Sequence, residues 1–131
     1  MIFKQKITPH QHDLEKIEAI TLQKSEEAQV FQEQVAEATQ NSDRAALQAS
    51  VKKIEQYVLK FNQELDALDL QTKEGQAIRE KIKLSNSYGI EIAIESLKEQ
   101  PDINKLSDLK MQIHTAQVDM QKHMETLKVL Q

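Results

Sequence analysis

At 131 residues the chain is long enough to bury one core without cross-links, and its two glycines and two prolines are too few for the frequent turns of an all-β domain. It holds no cysteine, which excludes disulfides, thiolate catalysis and cysteine-ligated zinc, haem or iron–sulfur centres within these residues. The net charge is −4, with seven acidic side chains in residues 9 to 40 against Lys16 and Lys24; no basic cluster exceeds the pairs Lys4/Lys6 and Lys52/Lys53, so the phosphate-tracking face of a nucleic-acid or anionic-membrane binder is missing.

The opening MIFKQKITPHQH has a three-residue apolar run before Lys4, far short of a signal-peptide core, and no segment reaches the apolar length of a membrane span. On that basis the chain reads as soluble and cytoplasmic. Thr8, Pro9 and Gln11 then form a helix start: Thr8 can cap, Pro9 suits the first helical position, and Gln11 can reach back as in a capping box. The first helix is expected over 9–40, with Leu14, Ile17, Ala28, Phe31, Val35 and Ala38 on one stripe and a weak middle, TLQKSEE, where Leu22 is the only large apolar residue.

Asn41 and Ser42 stop this helix, and Ser42 or Asp43 can cap the next, expected over 43–71. Leu47, Val51, Ile54, Val58, Phe61, Leu65 and Leu68 alternate steps of four and three, an unbroken heptad seam that lays one long apolar edge against other helices. The register fails at Thr72 and Gly75, with Gly75 a natural place to leave a helix. A third helix is expected over 76–99, ending before Pro101, which biases Gln100 away from helical geometry. A fourth, over 102–130, repeats the heptad through Leu106, Leu109, Ile113, Ala116, Met120, His123, Leu127 and Leu130. Short links between helices about 40 to 45 Å long predict antiparallel neighbours. The fold class is therefore all-α, an up-down-up-down four-helix bundle with coiled-coil-like packing; the alternative is a long helical hairpin, with the second and third helices as one rod, completed by dimerisation.

The third segment is the unusual one. In SNSYGIEIAIESL, isoleucines at 90, 92 and 94 alternate with Glu91, Ala93 and Glu95. A strand here would have only the poorly alternating MIFKQKI as a partner, and two-stranded ribbons are marginal in water, so helix is favoured. Wound at 100° per residue, it carries two stripes. Ile78, Ile82, Ser85, Gly89, Ile92 and Ser96 form one, in which Ser85, Gly89 and Ser96 are a close-packing seam that could admit a neighbouring backbone. Ile90, Ile94 and Leu97 form the other, which serves either the adjacent helices of this bundle or a partner chain. The latter three are the candidate partner interface.

Little chemistry is legible. Di-iron bundles need inward Glu-x-x-His pairs, and none occurs; there is also no GxSxG, HExxH or phosphate-cradling Gly-rich loop. The last helix holds the only soft ligands, Met111, His114, Met120, His123 and Met124, of which Met120 and His123 share a face. Because Met120 and His123 occupy seam positions, packing is the simpler reading, and no metal or cofactor is expected. The chain reads as a non-enzymatic protein–protein interaction, assembly or chaperone-like module. It is expected to self-associate or to bind a protein partner through apolar helix faces, with no nucleic acid, membrane span or small-molecule substrate. A metal or haem carrier and a structural coiled-coil component are the alternatives. In layout it is similar to secretion and flagellar export chaperones, on architecture alone.

Overall fold

The computed structural model describes residues 7–130 as four α-helices: α1 Pro9–Gln40, α2 Arg44–Asp66, α3 Lys73–Ser96 and α4 Ile103–Val129. The MIFKQK opening, including the Lys4/Lys6 pair and most of the candidate strand, lies outside the described residues, as does Gln131. Residues 89–95 are helical.

Each helix starts where a side chain can satisfy its free amides. Thr8 Oγ1 accepts from the Gln11 amide at 3.1 Å while Gln11 Oε1 accepts from the Thr8 amide at 3.4 Å, with Pro9 in the first turn. Asp43, Thr72 and Asp102 cap the other three in the same manner, each accepting from the amide three residues on. Ser42, just ahead of its cap, takes the left-handed φ of 52° that turns the chain from α1 to α2.

α2 ends at Asp66 rather than near 71, and α3 begins at Lys73 rather than 76, so the two are separate helices. The cause is long-range. The Asp13 carboxylate of α1 is fully buried and accepts from the Gln71 amide (2.9 Å), the Thr72 amide (2.7 Å) and the Thr72 hydroxyl (2.5 Å). Arg79 of α3 donates to the carbonyls of Leu65 and Leu68 at 3.2 and 3.0 Å, satisfying acceptors at the end of α2. Gly75 does not end a helix; it lies in the first turn of α3, where a Cβ would stand 2.9 Å from Asp13 Cγ. Only glycine lets the carboxylate come this close.

The helices form an antiparallel four-helix bundle in which α3 and α4 are the most extensively paired, the α1 backbone approaches every other helix, and the α2 and α4 backbones stay farthest apart. Its core is not centred. Leu14, Ile17 and Ile20 of α1, Phe61 and Leu65 of α2, Leu70 of the α2–α3 turn, Ile78 and Ile82 of α3 and Leu127 of α4 make one buried cluster, with Tyr57, Leu68, Met120 and Met124 packed on it. All lie toward the end where α1 and α3 begin and α2 and α4 finish. Toward the opposite end Val51, Ala38, Leu109 and Ala116 are buried, but Phe31, Val35, Leu47 and Ile54 are only half-buried.

Candidate functional site

Past the core, the α1/α2 hairpin and α3 stand apart around a groove of about 840 Å³. Its apolar walls are Phe31 and Val35 of α1, Leu47, Val51 and Ile54 of α2, and Ile90, Ile92 and Leu97 of α3. Its polar lining is neutral: Gln32, Thr39, Tyr57, Ser85, Asn86 and Ser96. No lining residue is charged, in a chain of which 29% is Asp, Glu, Lys or Arg. Such a lining keeps water weakly held and favours an apolar occupant.

Both ends of the groove are closed by polar ties between α2 and α3. At the inner end Asn86 Nδ2 donates to Asn62 Oδ1 at 3.0 Å; at the outer end the Arg44 guanidinium donates to the Leu97 carbonyl. The groove therefore opens between α1 and α3, where Gln32, Ala36, Thr39 and Ser96 are exposed.

A polar plug separates groove from core. The Tyr57 ring stands 5.2 Å from Phe31 and 6.0 Å from Phe61, and its hydroxyl donates to the Lys24 carbonyl at 2.7 Å. Lys24, 2% exposed, occupies the weak middle of α1: its stem fills the seam between Ile20 and Ala28, and its ammonium meets Glu64 at 2.6 Å and Glu27 at 3.4 Å. The same ammonium lies 5.7 and 5.8 Å from the Tyr57 and Phe61 ring centroids. Burial alone would lower the Lys24 pKa, but the hydrogen bond to Glu64 and the charges of Glu27 and Glu64 outweigh it and hold the group above its ordinary value. Burial, reinforced by the same two carboxylates, pushes Tyr57 up to about 12.

Of the candidate interface, Ile90 and Leu97 line the groove; Ile94 is 46% exposed and lies outside it. Ile90 and Leu97 share a stripe with Arg79, Lys83 and Asn86, whose side chains all bond to α2 or the turn after it. Ser85, Gly89 and Ser96 also line the groove, but nothing packs closely there: among the described residues no atom beyond Gly89's own stretch of helix lies within 4 Å of where its Cβ would stand. The ties to α2 run one stripe over, which leaves the small-residue stripe facing the gap. Buried Ser85 Oγ has no hydrogen-bond partner among the described residues.

The soft ligands of α4 sit in different surroundings. Met120 and Met124 pack on the core, His123 is half-buried, His114 is exposed, and Met111 is 66% exposed in a shallow trough with Leu84 and Tyr88. No three His, Asp or Glu side chains converge on a metal-sized site among the described residues. His12 bonds through Nε2 to the Asp69 carbonyl at 2.8 Å, holding the α2–α3 turn.

Sequence reasoning missed Asp13, Lys24 and Glu95, the buried charges. Glu95, 2% exposed, pairs with Lys98 at 2.6 Å and accepts from the Asp102 amide at 3.2 Å, tying the end of α3 to the start of α4. Its pKa is lowered chiefly by the Lys98 hydrogen bond. The only sequence signal for Lys24 is its spacing, since Ile17, Ile20, Lys24, Ala28 and Phe31 keep steps of three and four.

Fold and groove together define an all-α four-helix bundle with an uncharged cleft in its side. The chain belongs to the family described as Uncharacterised lipoprotein PM1805, whose model matches residues 11–130. No curated protein and no solved structure matches it. Lipoproteins are held to membranes by acyl chains, so this membership overturns the cytoplasmic expectation and points to a lipidated, membrane-anchored, extracytoplasmic protein. The chaperone-like reading, drawn from helical layout alone, is set aside with it. No described helix is long and apolar enough to cross a membrane.

Proposed function

We propose that this protein is a non-enzymatic binding and assembly module, tethered at a membrane surface, that engages an apolar partner through the groove between α1, α2 and α3. The observation that carries this reading is the lining: an opening of about 840 Å³, walled by apolar side chains from three helices and free of charge. Such a surface suits an apolar chain or edge and offers no acid–base pair or nucleophile to a reaction. A lipid anchor fits the family description; with no cysteine in these 131 residues, acylation of a thiol would use a residue outside them.

The test compares two neighbouring isoleucines. Ile90→Glu places a charge in the groove, whereas Ile94→Glu places one on the exposed side of the same helix. With helicity retained in both, partner recovery after cross-linking in membranes should drop at least tenfold for Ile90→Glu and stay near wild type for Ile94→Glu. Equal recovery in the two variants would remove the groove from the function.

A further inference from the structure

The form of the groove bears on its occupant. With a volume of about 840 Å³, it runs beside α2 from Leu47 to Val58, about 16 Å of helix. The Asn62–Asn86 and Arg44–Leu97 hydrogen bonds hold α2 and α3 together at both ends, so widening the space between them for a third helix, about 10–12 Å across, would strain both ties. A hydrocarbon chain, about 4–5 Å wide at the separations of packed carbons, needs no such widening. The volume also falls in the range of roughly 300–1,000 Å³ typical of small-molecule sites.

The two ends differ in charge chemistry. The inner end is stopped by Tyr57 and the Lys24–Glu64 pair, whose ammonium is already neutralised. The outer end carries Arg44, which is exposed, makes no ion pair among the described residues, and is held in place by the Leu97 carbonyl. Glu37 and Asp43 line a separate trough with Lys53, not this groove.

We infer that the groove binds a single-chain anionic amphiphile of the long-chain fatty acid class, its hydrocarbon chain between Val35, Val51, Ile54 and Ile90 and its carboxylate at the outer end beside Arg44. This rests on the groove being the working surface and names its occupant. Gly89 acquires a role on this reading: the space above it, which no atom of the chain fills, is where the hydrocarbon lies.

The test is calorimetric titration of the folded protein with palmitate, laurate and octanoate below their micellar concentrations. One saturable site per chain is expected, with affinity rising about fourfold per methylene until the chain fills the groove. Gly89→Leu fills the gap from a position with open space, and Ala93→Leu does so from the same wall; each should weaken palmitate at least tenfold with the melting temperature retained. Gly89→Ala should bind as wild type, and Arg44→Gln should weaken palmitate several-fold without affecting its methyl ester. No saturable palmitate binding, or binding that survives both leucine variants, overturns the inference. If palmitate fails while Ile90→Glu still abolishes partner recovery, the occupant is wrong and the groove stands as the working surface; if both fail, both are wrong.

Discussion

The two ends of the bundle are built on the same helices with the same periodicity, yet one is a filled core and the other a groove. Along the α3 stripe the difference can be read residue by residue. Ile78 and Ile82 are 0% and 6% exposed and fill the space between α1, α2 and α4. Ser85 and Gly89 continue the same stripe one and two turns on, and there the space stays open. Heptad spacing keeps a helix face turned toward its neighbours, but side-chain volume decides whether the seam closes. The ends also differ in what holds them. At the packed end Asp13 fastens the α2–α3 turn through three donors, whereas at the open end single side chains bridge α2 and α3 and leave α1 free of that tie.

The largest expected effect lies at the packed end. Leu65→Ala or Ile78→Ala should cost about 3–5 kcal/mol in urea unfolding, because both side chains are fully buried with no room for neighbours to collapse. Ile54→Ala, in the groove wall, should cost about 1 kcal/mol, since its side chain is already half in contact with solvent. Similar costs at the two sites would erase the distinction between the ends. Next in size, Asp13→Ala should cost about 2–3 kcal/mol by leaving the Gln71 and Thr72 amides without their acceptor. Nuclear magnetic resonance shift changes for this variant should concentrate at residues 67–76 and spare the groove.

The plug between the two ends gives a pH signature. Tyr57 in the folded chain keeps its proton to about 12, while the unfolded chain loses it near the ordinary tyrosine value of about 10. Lys24 is likewise raised, so the folded chain holds more protons than the unfolded one in alkali. Stability from both groups is therefore fully present below about pH 10 and falls as pH rises toward 12. Tyr57→Phe should flatten that decline in denaturation midpoints recorded across the window. The smallest effect has the opposite sign: Gly89→Ala should stabilise the protein by about 0.5–1 kcal/mol, because a helix-interior glycine is replaced where a methyl group meets nothing. A loss of stability there would mean that a backbone does approach Gly89.

Periodicity and capping chemistry made the four helices and their antiparallel order legible. Thr8, Pro9 and Gln11 announced the start of α1, and the seam from Leu47 to Leu65 its packing partner. The end of α2 was not legible, because it depends on Asp13 and Arg79, which reach the α2–α3 turn from other helices. The burial of Asp13, Lys24 and Glu95 was not legible for the same reason: what satisfies them is set by the tertiary fold. The groove was half visible. Ser85, Gly89 and Ser96 marked a place where volume was missing, and spacing alone could not say whether a backbone would move in or the space would stay open. Membership of a lipoprotein family was not legible in the composition and came from the family match.

Native-state hydrogen exchange tests the contrast between the ends most directly. Amides of residues 13–24, 58–66 and 76–84 should exchange only through global unfolding. Those of residues 30–38, 47–55 and 88–95, around the groove, should exchange through smaller openings and gain protection when palmitate is added. Uniform protection along each helix, unchanged by palmitate, would contradict a molecule with one closed end and one open end.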